Sequence, residues 1–244
     1  MAKGLVEAGA MVHCVDISPH ADQAFERAKE RVDPQYSGGF EYHRCDVSND
    51  AEVSSVFREI AAKKQRLDGI IAAAGIQHVQ SALDICTEDI NRMLATNYTG
   101  VFLCARAAAR EMFRYKIQGG SICLIASMSG IIANRGFIAP VYNSSKAAVI
   151  QLARNLAMEW GRVRADGSGG IRVNCLSPGH ILTPMVEENL RKGEASRKEW
   201  ENNSMLGRLS TPEEYKAAGL FLLSRASSFM TGQNLIIDGG TSAW

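Results

Sequence analysis

The chain has 244 residues, 46% of them apolar and 22% charged, which is enough to bury one full α/β core. Its formal charge is +1, and its Lys and Arg residues are scattered, pairs such as Lys63-Lys64 reading as solvated helix ends; nucleic acid and anionic membrane are thereby disfavoured as partners. The longest apolar runs, near 70–76 and 121–126, fall far short of the roughly 20 residues of a membrane span, and no basic-then-apolar leader opens the sequence, so a soluble, cytoplasmic protein is expected.

Short apolar runs at 11–15, 40–45, 69–73, 121–127, 171–177 and 234–238 read as strands. Between them, amphipathic segments at 21–31, 50–65, 87–116, 142–160 and 212–223 read as helices. This alternation predicts right-handed βαβ units and a single-domain, doubly wound parallel sheet with helices on both faces. The helix from Tyr142 carries Val149, Ile150, Ala153, Leu156, Ala157 and Trp160 on one stripe, while the Gly- and charge-rich stretch 161–170 reads as a mobile surface loop. Six cysteines, none with C-x-x-C spacing, read as small buried hydrophobes kept reduced. Five histidines form no H-x-x-x-H pair, so no metal site is expected.

The chemistry concentrates in Tyr142-Asn143-Ser144-Ser145-Lys146, fifteen residues after Ser127. Residues four apart share a helix face, so the Lys146 ammonium lies one turn from the Tyr142 phenol. A neighbouring cation favours phenolate and would make an otherwise poor base useful for proton transfer. Ser127 ends an apolar run and delivers a hydroxyl to the carboxyl edge of the sheet, where open α/β folds bind ligands. Taken singly, each has an ordinary structural role: Ser127 as a strand-end cap, Asn97 as a helix hydrogen-bonding residue, Lys146 as a snorkelling surface group.

Three further motifs accompany them: Ala95-Thr96-Asn97-Tyr98-Thr99-Gly100, Pro178-Gly179-His180-Ile181-Leu182-Thr183-Pro184, and the closing run from Thr231 to Gly240. In this order and spacing the whole chain, 1–244, resembles the short-chain dehydrogenase/reductase family. The resemblance implies a Rossmann-type fold and hydride transfer between nicotinamide and a secondary alcohol or ketone. It implies that Ser127 binds the substrate oxygen, Tyr142 is the acid/base, Lys146 lowers the Tyr142 pKa and binds the nicotinamide ribose, and Asn97 holds a relay water. Asp16 and Ile17, following the first strand, take the place of the adenosine-ribose acid and its neighbour; a carboxylate there repels a 2′-phosphate, which favours NAD over NADP. Asp46 and Val47 resemble the adenine-contacting pair, and Ala73, Ala74 and Gly75 stand where small residues let the backbone approach the ribose. The Ala72–Gly75 stretch departs from the family's Asn-Asn-Ala-Gly by losing both Asn side chains. Pro178, Gly179, Ile181 and Thr183 resemble the turn that meets the nicotinamide carboxamide.

By the same resemblance Gln77, Ser129, Asn134, Phe137, His180 and Met185 line the substrate pocket, and 187–203 form a lid. That mixture suits a polyol or ketose, or a ring ketone of secondary metabolism. A 3-oxoacyl reductase is an alternative that usually prefers NADP, and a non-catalytic binding protein is another. The family also implies a homotetramer or homodimer formed through the Asn97 and Tyr142 helices. Residues 1–10 resemble the back half of the family's first helix, so an apolar strand and a Gly-x-x-x-Gly-x-Gly turn, on the order of 20 residues, are expected to precede Met1. Without that central strand, its two neighbours would stand about 10 Å apart instead of about 4.8 Å.

Overall fold

The computed structural model describes residues 1–33, 35, 37–193 and 196–244. After the opening helix α1 (Ala2–Glu7), strands β1 (Met11–Asp16), β2 (Gly39–Arg44), β3 (Gly69–Ala72), β4 (Ser121–Ile125), β5 (Arg172–Pro178) and β6 (Asn234–Ile237) alternate with helices. These helices are α2 (Gln23–Glu30), α3 (Asp50–Lys64), α4 (Thr87–Leu94), α5 (Val101–Arg114), α6 (Pro140–Trp160), α7 (Pro184–Arg191), α8 (Arg197–Asn203) and α9 (Lys216–Leu223). Every strand pairing is parallel. Among the described residues the strands form two sheets, β1-β2 and β3-β4-β5-β6, with no pairing of β1 to β3.

Alternation along the central strands explains why both sheet faces are covered. On β4, Ile122 and Leu124 enter one core with Val173 and Cys175 of β5, under α3, α5 and α6. Cys123 and Leu176 point the other way, into a second core closed by Tyr215, Ala218 and Leu222. All these strand residues are fully buried, and each large aliphatic removed from water contributes ~1.5–3 kcal/mol. A third cluster, Phe137, Ala139, Trp200 and Leu209, lies beside the carboxyl edge.

Several boundaries differ from the sequence reading. The segment 87–116 is helical through Arg114, but Ala95–Gly100 widens into a π-helical turn between α4 and α5. Gly100 permits this turn to sit against the chain after β2: a Cβ there would lie 2.8 Å from Val47 Cγ2. Helix α6 begins at Pro140, two residues before Tyr142, because proline's missing N–H and fixed φ suit a helix start. Strand β4 stops at Ile125, so Ser127 is not a strand residue. It caps a short 3₁₀ turn, accepting from the Ser129 amide at 3.1 Å. The segment 187–203 contains the end of α7 and all of α8; its residues 194 and 195 lie outside the described ones.

Candidate active site

The carboxyl ends of β3, β4 and β5 and the start of α6 enclose a cleft of about 190 Å³. Ser127, Tyr142 and Lys146 all line it, brought together from a turn and one helix face. Gly130 sets their spacing. A Cβ on it would come within 2.7 Å of the Ala147 amide and the Lys146 carbonyl carbon, so only glycine lets the Ser127 turn rest on the α6 backbone.

Burial governs both ionisable groups. The phenol of Tyr142 is pushed above its ordinary pKa by desolvation, opposed by hydrogen bonding to the neighbouring Ser127 hydroxyl. Desolvation pulls Lys146 down to about 8. Its Nζ stands 5.7 Å from the Tyr142 ring centroid and donates to the Ile125 carbonyl at 3.0 Å. The ammonium is thus aimed at a backbone carbonyl, and burial is the largest influence on the phenol.

Asn97 lies behind the cleft, fully buried. Its Oδ1 accepts from the Ile76 amide at 2.8 Å, and its Nδ2 donates to the Ile76 carbonyl at 2.9 Å and to Ser145 Oγ at 3.1 Å. Ser145 Oγ in turn donates to the Tyr142 carbonyl at 2.7 Å. The Asn97 side chain thereby clamps the segment after β3 to the first turns of α6.

The expected cofactor residues divide into two groups. Ala73, Gly75, Pro178, Gly179, Ile181 and Thr183 line the cleft, and Ala74 is exposed beside it. The parallel bridge from Ile181 to Ser210 uses the His180 carbonyl and the Leu182 amide, which leaves the polar backbone of Ile181 on the opposite side. Thr183 Oγ1 caps α7, accepting from the Val186 amide at 3.4 Å and keeping its own hydrogen to donate. Asp16 ends β1 and Ile17 follows it, Asp46 and Val47 follow β2, and none of the four lines this cleft. Asp16 is exposed, and its Oδ1 accepts from the Ser18 amide at 2.9 Å. Hydrogen bonds from Ser48, side chain first, hold the Asp46 carboxyl below the usual range. Val47 packs beneath Gly100.

These residues fit a nicotinamide dinucleotide on one structural test. The Lys146 ammonium, almost completely buried, has three donors and one acceptor among the described residues, Ile125. It faces a cleft lined by exposed Ala73, by Gly75, whose missing side chain leaves a flat approach, and by Ile181.

Of the expected substrate residues, Gln77, Ser129, Phe137, His180 and Met185 line the cleft. Asn134 does not: its Oδ1 is taken by Asn143 Nδ2 at 3.0 Å, which ties the preceding loop to α6. Gln77 accepts from Asn189 of α7 at 2.7 Å. Trp200 of α8, unanticipated in the sequence reading, also lines the cleft and is 3% exposed. It stacks on His180, with centroids 3.8 Å apart and planes 8° from parallel, and meets Phe137 edge-on at 5.8 Å. Burial takes His180 down to about 4, so the stack is between neutral rings at physiological pH. The available signal was a lone aromatic in an otherwise charged and polar segment, Arg197–Asn203.

A family model described as enoyl-(acyl carrier protein) reductase matches residues 1–242. A protein from Aspergillus versicolor named short chain dehydrogenases/reductase notP′ is 37% identical over 246 residues, covering 100% of this chain and 82% of that one. The NADH-dependent L-xylulose reductase of Ambrosiozyma monospora is 32% identical over 255 residues, covering 100% and 90%. The crystal structure of a short-chain type dehydrogenase/reductase from Mycobacterium marinum superposes with a TM-score of 0.87 at 36% identity, covering 100% of this chain and 90% of that one.

Proposed function

We propose, for a chain that belongs to the short-chain dehydrogenase/reductase family, that it is an NAD-dependent oxidoreductase of a polyol or ketose. Family membership makes it an oxidoreductase acting on CH–OH groups. The observation that carries the reading is the convergence of Ser127, Tyr142 and Lys146 on one cleft.

A nicotinamide dinucleotide supplies the hydride acceptor or donor when bound. Ile181 and Thr183 hold its carboxamide, and Lys146 gives its spare donors to the ribose. Ser127 donates a hydrogen bond to the substrate oxygen and fixes it beside the phenol. A neutral Tyr142 can give that oxygen a proton during ketone reduction. Oxidation of the alcohol requires the conjugate base, which the Ser127 hydroxyl and the nearby ammonium favour. Asn97 keeps the Tyr142 turn in register with the segment after β3.

Asp16 at the end of β1 supports NAD, since its carboxylate repels a 2′-phosphate. A lining that combines Gln77 and Ser129 with Phe137 and Trp200 suits a polyhydroxylated carbon chain, and the xylulose reductase relative supports the same class. Exposed Leu94, Tyr98 and Met158 on the helices bearing Asn97 and Tyr142 support self-association. Six free thiols suit a reducing, cytoplasmic setting.

The test is Tyr142→Phe assayed with pentitols and ketopentoses, together with titrations of NAD and NADP. Loss of activity by about 10²–10⁴-fold with NAD binding retained is expected. A variant that keeps more than a few per cent of the rate would remove Tyr142 as acid/base, and tighter binding of NADP than NAD would remove the cofactor assignment.

A further inference from the structure

Parallel pairing of β1 with β2 does something local spacing in the sequence does not reveal. His13 stands opposite Glu41 in the register, and Val15 opposite His43. Paired residues share a sheet face, as do residues two apart on one strand, so His13, Glu41 and His43 project together on the α3 side. His13 Nδ1 and His43 Nε2 are 2.9 Å apart, and Glu41 Oε2 lies 3.6 Å from the first and 3.8 Å from the second. The two imidazole side chains are 16% and 11% exposed, whereas the carboxylate is 39% exposed and open to water.

We propose that His13, Glu41 and His43 form a binding site for a divalent transition-metal ion of the zinc or nickel class, separate from the catalytic cleft. Two imidazole nitrogens and one carboxylate oxygen are the donor set such ions prefer. Bonds of about 2.1 Å meeting at right angles place two ligand atoms about 3.0 Å apart, and at tetrahedral angles about 3.4 Å. The three observed separations bracket those values, so an ion requires side-chain adjustments of a few tenths of an ångström and no change of strand register. Water on the Glu41 side completes the coordination and provides the path of entry.

One group opposes the ion. Lys63 of α3 holds Glu41 Oε2 at 2.5 Å and must yield that oxygen. Its ammonium therefore competes with a cation, and its removal should strengthen binding. Occupation would bridge β1 to β2, tying the two paired strands together.

The experiment uses tag-free full-length protein stripped with a chelator and titrated calorimetrically with Zn²⁺ and Ni²⁺, with Co²⁺ as an absorption probe. One ion per chain at micromolar concentration is expected, accompanied by a rise in Tm. Affinity should fall at least about tenfold in His13→Ala and in Glu41→Gln, and should rise in Lys63→Met. Glu41→Gln, at a partly exposed position, decides the matter if His13→Ala fails to fold. Absence of saturable binding, uptake unchanged in Glu41→Gln, or a thiolate-to-cobalt charge-transfer band placing the ion on cysteine would each overturn the site.

Discussion

Lys146 is a group whose usefulness conflicts with stability. Its pKa falls from the ordinary 10.5 to about 8 because the fold desolvates the ammonium, which keeps one hydrogen bond to the Ile125 carbonyl. Between these values the unfolded chain binds more protons than the folded one, so stability rises with pH through the window and the full cost applies below it. A shift of that size corresponds to a cost on the order of 3 kcal/mol at neutral pH. Lys146→Met keeps the buried stem and removes the charge, although it leaves the Ile125 carbonyl unpaired. We expect it to stabilise the protein by ~1–2 kcal/mol at pH 7 while abolishing activity. Urea melts at pH 7 and near pH 10 are the check: the advantage should shrink as the pH rises, and a less stable variant at pH 7 would contradict the account.

Among the elements, the placement of α6 against the Ser127 turn determines whether the site exists. Nothing but glycine fits at position 130, where an added Cβ would meet α6 backbone atoms at 2.7 Å and no side chain could move aside. Gly130→Ala should therefore displace the Ser127 turn from Tyr142, costing ~1–3 kcal/mol of stability and lowering kcat about tenfold or more. Binding of NAD, which rests largely on the turns after β1, β2 and β5 with Lys146 as one contact, should change less than kcat. Parallel melting, kcat and NAD titration would test this; a variant with unchanged kcat would mean that the contact does not set the catalytic spacing. The π-helical turn at Ala95–Gly100 serves a similar end on the opposite wall. It buries Asn97 and Gly100 while leaving Tyr98 and Thr99 exposed, and so turns one amide into a clamp on Ile76 and Ser145.

At the scale of the molecule, the divided sheet predicts uneven stability. Among the described residues, the β3-β4-β5-β6 sheet has two internal strands and cores on both faces, whereas each strand of β1-β2 has a single hydrogen-bonded neighbour. A two-stranded sheet is marginal by itself, and this one is tied to the main core through Val15, Cys45 and the residues of α3. Hydrogen exchange followed by mass spectrometry should show peptides spanning 11–16 and 39–44 exchanging well ahead of those spanning 121–125 and 172–178. Equal protection of the two sheets would show that they open as one cooperative unit.

The residues by themselves determined the order of the six strands and of the helices α2 to α6 and α9, because apolar period 2 and period 3.6 are properties of the local chain; α7 and α8 fell in or beside the stretch read only as a lid. They also determined that Ser127, Tyr142 and Lys146 belong together, since their spacing and their place after an apolar run are visible without a fold. Tertiary structure decided what those residues experience. Burial raised the phenol and lowered the ammonium, which no spacing reveals, because desolvation depends on everything packed around a group. Tertiary structure also removed Asn134 from the pocket by giving its carboxamide to Asn143, and added Trp200 by stacking it on His180. It brought His13 to Glu41 and His43 across 28 and 30 positions of sequence, counted from His13, through a strand register that emerges only when two distant segments pair.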